Sequence, residues 1–158
     1  VIPAPPTNWY EVHRAFGNPS YTELSGGLVD LDDAWESQNL VLVRKVCGTG
    51  LSIRLHYRLV YQFQEAFSDA LRRCPGYAIR LMGGFAPRHK MHDPKRSLSI
   101  HSFGAAVDFN WDTNPVGKTL KTDLPDDFVE CFRSRGWDWG GAWKSIKDPM
   151  HFQFAIGV

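Results

Sequence analysis

From Tyr57 to Arg73 apolar side chains recur every three or four residues, at Leu59, Phe63, Ala66, Phe67, Ala70 and Leu71. Gln62, Gln64, Glu65, Ser68 and Asp69 fill the opposite side. That period predicts an amphipathic helix, stopped by Pro75-Gly76. Elsewhere the pattern shortens. "LVLVRKV" (40–46) predicts a strand broken by "CGTGLSI", and "YAIRLMGGF" (77–85) a strand broken at Gly83-Gly84. In "AAVDFNW" (105–111) Ala105, Val107 and Phe109 alternate with Ala106, Asp108 and Asn110, so Asp108 points away from Val107 and Phe109. In "MHFQFAI" (150–156) Met150, Phe152, Phe154 and Ile156 alternate with His151, Gln153 and Ala155. His151 therefore sits on the polar side of a predicted strand.

A second helix is expected after the turn-rich "DTNPVGKT". Asp123 or Thr122 would cap it, with Pro125 near its first turn and Asp126 and Asp127 at the positive end of its dipole. Its apolar positions are Phe128, Val129 and Phe132, and Gly136 closes it. Residues 1–27, with three early prolines and later Gly, Pro and Asn punctuation, are expected to form an extended lead-in packed through Trp9, Tyr10 and Phe16. Residues 28–158 then form the main domain. The fold class is α+β: two main helices against a small antiparallel sheet.

Composition narrows the function. A chain of 158 residues with 43% hydrophobic side chains can bury one domain-sized core. A formal net charge of +1 gives no electrostatic case for nucleic acid. "RHKMHDPKR" (88–96) is locally basic but lacks interleaved aromatics, and reads as a loop beside a site. No apolar run approaches the roughly 18–20 residues of a membrane span, and none reads as a signal peptide. Monomer is the default. Cys47, Cys74 and Cys131 form no CxxC pair; one disulfide with a free thiol and three buried thiols both fit.

The candidate chemistry lies in "SLSIHSFGAAVDFN" (97–110) and in the last strand. Gly104, Ala105 and Ala106 would let the turn carrying His101 stand over the strand carrying Asp108. His151 follows the same polar-face logic. Two imidazoles and a carboxylate make a three-ligand zinc set with a fourth position for water, which the ion would acidify. Asp148, restrained before Pro149, is the candidate general base. Arg88 is the candidate for holding an oxyanion or a substrate carboxylate. Arg80, inside "YAIRL", is its rival but suits a structural role. His89 and His92 read as solvent-exposed, and His56 and His13 as structural. Of Trp137, Trp139 and Trp143, two are expected in the core and at most one in a groove wall. HExxH, GxSxG and Gly-rich phosphate loops are absent.

Ser99 to Asp108, "SIHSFGAAVD", resembles the SxHxxGxAxD motif of the zinc D-Ala-D-Ala carboxypeptidase and VanY-type peptidases. "WGGAWKSIKDPMHFQ" (139–153), together with "FNWDTNP", is similar to the branch containing L-alanyl-D-glutamate endopeptidases of phage lysins and bacterial wall enzymes. The resemblance covers about residues 55–156. It implies His101, Asp108 and His151 as zinc ligands, Asp148 as base where many relatives carry Glu, Arg88 as the upstream arginine, and Ser99 as a hydroxyl behind the ligands or facing substrate. It also implies the small α+β fold shared with the hedgehog signalling domain, a peptidoglycan stem-peptide substrate, and action outside the cell, in the periplasm or at the wall. A phage lysin would be made in the host cytoplasm and released to the wall. The implied activity is L-alanyl-D-glutamate endopeptidase. A D,D-carboxypeptidase of the same fold, or a zinc-containing wall- or protein-binding module without catalysis, are the alternatives.

Overall fold

The computed structural model describes residues 2 and 4–158, so the lead-in expected at residues 1 and 3 lies outside the described residues. The rest of the lead-in is not wholly extended: Trp9–Phe16 form helix α1. The prolines end before Asn8, whose side chain caps the helix by accepting from the Glu11 N–H at 3.0 Å. Val12 and Phe16, four residues apart, face inward and are buried. Trp9 packs with them, but Tyr10 points to solvent at 70% exposure and contributes nothing to the docking.

A short hairpin follows, β1 (Tyr21–Glu23) with β2 (Val29–Leu31). Asp32 caps helix α2 (Asp33–Asn39), accepting from the N–H groups of Ala34 and Trp35. Strands β3 (Leu40–Val43) and β4 (Ile53–His56) pair antiparallel. The first amphipathic helix of the sequence reading is α3 (Val60–Arg73), buried along Phe63, Ala66, Phe67 and Ala70.

The remaining strands are β5 (Met82–Gly83), β6 (Ala106–Phe109), β7 (Asp138–Trp139) and β8 (His151–Gln153). They form one antiparallel sheet in the order β5-β6-β8-β7. Helix α4 (Asp126–Arg133) packs against α3. Aromatic side chains join these helices to one face of the sheet. Phe109 lies 5.2 Å from Phe128, and Phe132 lies 4.8 Å from Phe152, between ring centroids. Burying each such side chain contributes about 1.5–3 kcal/mol, which anchors the sheet's inner face. Asp108 and His151 belong to the other face, directly opposite one another in the β6–β8 register. The fold is thus α+β as expected, with more helix than the two main helices.

Two local expectations are corrected. Of residues 77–85 only Met82 and Gly83 pair as a strand. The segment before them is held instead by a side chain: Asn110 Oδ1 accepts from the N–H groups of Arg80 and Leu81, at 2.8 and 3.0 Å. Neither Asp123 nor Thr122 caps α4, which begins after an extended Pro125 without a side-chain cap. Asp123 accepts instead from the Tyr77 hydroxyl at 2.6 Å and from Asn114 Nδ2 at 2.9 Å. Thr122 donates to Asn114 Oδ1. Both residues are spent on pinning the 110–123 loop. All three cysteines are free thiols, and no helix of the described residues is long and apolar enough to cross a membrane.

Candidate active site

His101 is presented by a single 3-10 turn, Ile100–Phe103. Ser99 starts it, its hydroxyl accepting from the His101 N–H at 3.3 Å. Gly104 ends it in the left-handed region, with φ +64°. A Cβ on Gly104 would lie 2.6 Å from the His56 backbone nitrogen, so only glycine lets the turn seat against β4 and re-enter the sheet at β6. The "SIHSFG" stretch is thus a mounting for one imidazole. Asp108 and His151 arrive from adjacent strands.

These elements bring the three groups together. His151 Nδ1 lies 2.9 Å from Asp108 Oδ1, and His101 Nε2 lies 3.1 Å from Asp108 Oδ2. The two ring nitrogens, His101 Nε2 and His151 Nδ1, are 3.1 Å apart. Both rings are buried, and the carboxylate is one-fifth exposed. Burial raises the Asp108 pKa, but the fields and hydrogen bonds of His101 and His151 outweigh it and hold the group well below the usual carboxylate range. Burial pushes the His151 pKa down, yet its hydrogen bond to Asp108 wins and the net shift is upward.

The donor set fits a divalent ion. His101 Nδ1 lies 2.7 Å from the Gly84 carbonyl oxygen, which only accepts, so the ring's proton belongs on Nδ1. Its Nε2 lone pair then points at the Asp108 carboxylate and at His151 Nδ1. One ligand atom from each residue falls within 4.8 Å of the others. Electron pairs converging this closely need a proton or a cation between them, and two imidazoles with one carboxylate suit zinc or a similar metal.

Asp148 stands beside this cluster on the turn entering β8. Its N–H donates to the Gly140 carbonyl at 3.0 Å, and its own carbonyl accepts from the His151 N–H at 3.1 Å. Trp139 Nε1 donates to the Pro149 carbonyl at 2.8 Å and fixes the same turn. A Cβ on Gly140 would collide with the Asp148 carbonyl oxygen. The side chain is not tied down: Asp148 Oδ1 is buried without a hydrogen-bond partner. Burial raises its pKa, with His151 opposing the rise and Asp108 reinforcing it. A carboxylate left unpaired and pushed toward neutrality is suited to taking a proton.

A cleft of about 880 Å³ opens over the site, its lining including His151, Asp148, Arg88, Ser99 and Trp143. Arg88 is on its wall, and its backbone is locked to the His101 turn: its N–H donates to Ser102 Oγ at 3.0 Å, and that hydroxyl donates back to the Arg88 carbonyl at 2.9 Å. Arg80 is away from the cleft, paired with Asp112 at 2.9 Å. Trp143 forms cleft wall, its ring centroid 5.3 Å from that of His151, while Trp137 and Trp139 pack with the core. His56 and His13 are packed among aromatic rings. His92 is exposed.

His89 departs from its expected exposure. It is buried, its Nδ1–H donating to the Arg96 carbonyl at 2.6 Å and its Nε2 facing Glu23 at 3.0 Å. It ties the basic loop to the β1–β2 hairpin, a partner 66 residues away that no local pattern announces. Ser102, the Gly84 carbonyl and Gly140 were missed as supports for the same reason. Gln153 was readable only as a polar-face residue two positions after His151.

An α+β fold holding two histidines and an aspartate beside an unpaired carboxylate carries the equipment of a metal-assisted hydrolase. Residues 92–154 match the family model described as D-alanyl-D-alanine carboxypeptidase, so over that segment the chain is similar to this peptidase family. The match takes in His101, Asp108, Asp148 and His151 but leaves Arg80 and Arg88 outside. No solved structure matches the chain.

Proposed function

We propose that this protein is a zinc-dependent peptidase that hydrolyses amide bonds of peptidoglycan stem peptides outside the cell or at the wall, cutting between L-Ala and D-Glu. The observation that carries the reading is the convergence of His101 Nε2, Asp108 and His151 Nδ1 on one point beside the unpaired Asp148 carboxylate. Zinc held there would supply a Lewis acid for the amide carbonyl and an acidified water. The chain's own residues do the rest. Asp148 accepts the proton of the attacking water and returns it to the leaving amine. Arg88 faces the developing negative charge or a substrate carboxylate. Ser99 serves by capping the turn that aims His101.

The cleft favours an internal bond. Arg88, Lys90 and Lys144 line it, with Arg96 paired to Asp93 at 3.6 Å and Asp138 also on the wall, so cationic groups are distributed along the cleft among acidic ones rather than gathered at one point. A stem peptide carries carboxylates within its length, which such a lining suits. The likeness of residues 92–154 to D-alanyl-D-alanine carboxypeptidases favours the second reading, removal of a C-terminal D-Ala. Purified wall fragments digested with zinc-loaded protein and read by mass spectrometry separate the two. A new D-Glu amino terminus supports the endopeptidase, and loss of only a C-terminal residue replaces it with the carboxypeptidase. No cleavage of either bond favours a binding module.

A further inference from the structure

His151 has two nitrogens and, when neutral, one proton. A metal ligand needs that proton kept off the coordinating atom. Its Nδ1 faces Asp108 Oδ1 at 2.9 Å, and a carboxylate would readily draw the proton there. Its Nε2 faces Gln153 Oε1 at 3.0 Å. The two acceptors compete for one proton, and the outcome decides whether Nδ1 offers a lone pair.

Gln153 is built to win. His151 and Gln153 lie two apart on β8 and so share a face. Gln153 is buried, with small Ala106 opposite it on β6. Its Nε2 donates to the Ala155 carbonyl at 3.0 Å. Turning the amide over would set Gln153 Oε1 against that carbonyl oxygen and leave a buried donor misdirected. The amide is therefore locked with its oxygen toward His151, where a bare Nε2 would meet oxygen lone pairs. The Gly84 carbonyl does the equivalent for the other ring, at His101 Nδ1.

Resting on the metal-site reading above, we propose that Gln153 is a positioning residue, which holds the His151 proton on Nε2 and so commits Nδ1 to the metal. Outer partners of metal-bound histidines typically govern affinity by about 10–100-fold.

The test is zinc affinity by competition with a chromophoric chelator, alongside 15N NMR of the zinc-loaded protein. In the wild type the His151 proton should be on Nε2, with the metal-shifted signal on Nδ1. Gln153→Leu and Gln153→Met should weaken zinc binding about 10–100-fold, whereas Gln153→Glu, which keeps an acceptor for Nε2–H, should recover most of it. A metal-shifted Nε2 in the wild type overturns the proposal without any variant, should the variants fail to fold. Unchanged affinity in a folded Gln153→Leu overturns the role of Gln153 while leaving the metal site standing. A wild type that binds no zinc overturns both.

Discussion

Asp148 is the residue whose chemistry is most exposed to a single substitution. Its buried Oδ1 has no partner to lose, so Asp148→Asn preserves shape and removes only the capacity to take a proton. The variant should bind zinc as the wild type does and lose activity by about 10²–10⁴-fold. Full activity in Asp148→Asn would move the base elsewhere. His56 gives a separate prediction, for stability. Burial pushes its pKa down from 6.5 to about 4, outweighing the hydrogen bond to the Phe16 carbonyl. The unfolded chain therefore takes up this proton first as the pH falls. Stability is flat in this group above its unfolded pKa of 6.5, falls as the pH drops toward about 4, and levels off below. The span is about 3 kcal/mol. Denaturant unfolding of wild type and His56→Gln across that window checks it: the variant should show a shallower acid loss, and identical slopes would contradict the assignment.

The candidate site residues were legible because alternation exposes them. Asp108 and His151 interrupt apolar strands on the polar side, where an unpaired charge is costly, so their presence demanded a reason. His101 was legible through Gly104 and the alanines that follow. The supports were not. A carbonyl such as that of Gly84 carries no side-chain signature, and Ser102 becomes meaningful only when Arg88 is folded against it.

At the scale of elements, periodicity recovered α3, β3, β6 and β8 and misread the lead-in. Eight residues of α1 offer only two turns of pattern, and the prolines upstream dominate the local composition. The stretch before β5 looked like a strand because it is extended, yet its hydrogen bonds go to the Asn110 side chain, and no composition rule distinguishes the two. The turn from Gly140 to His151 carries a sharper prediction. Gly140→Ala would force the Asp148 carbonyl away, and the side chain with it. A displacement near an ångström at a reacting group can cost about 10²-fold in rate. Activity should fall by that order and zinc affinity by less: the displaced carbonyl also holds the His151 N–H, but His151 stays paired with Asp108 in the β6–β8 register, and His101 sits on another element. An equal loss of zinc affinity would show instead that the turn positions His151 before it positions Asp148.

Across the whole molecule, the aromatic layer between α3, α4 and the sheet backs its inner face, so the two strands carrying Asp108 and His151 are fixed from behind. A metal that needs a prebuilt site binds the folded chain and not the unfolded one, so on the proposed reading zinc should stabilise the fold. At free zinc 100 times its Kd the gain is about 2.7 kcal/mol, which raises Tm by about 5–10 °C in a domain this size. Chelator should reverse the shift, and a Tm indifferent to zinc would contradict a site formed by His101, Asp108 and His151 together.

The most direct measurement is a zinc titration of chelator-treated protein against purified wall fragments, counting new amino termini by mass spectrometry at each step. Cleavage should be absent at the start, rise in proportion to zinc, and level off at one ion per chain, with D-Glu as the new terminus. Cleavage that persists without metal, or one bound ion per chain with neither the L-Ala–D-Glu nor the D-Ala–D-Ala bond cut, would contradict the account.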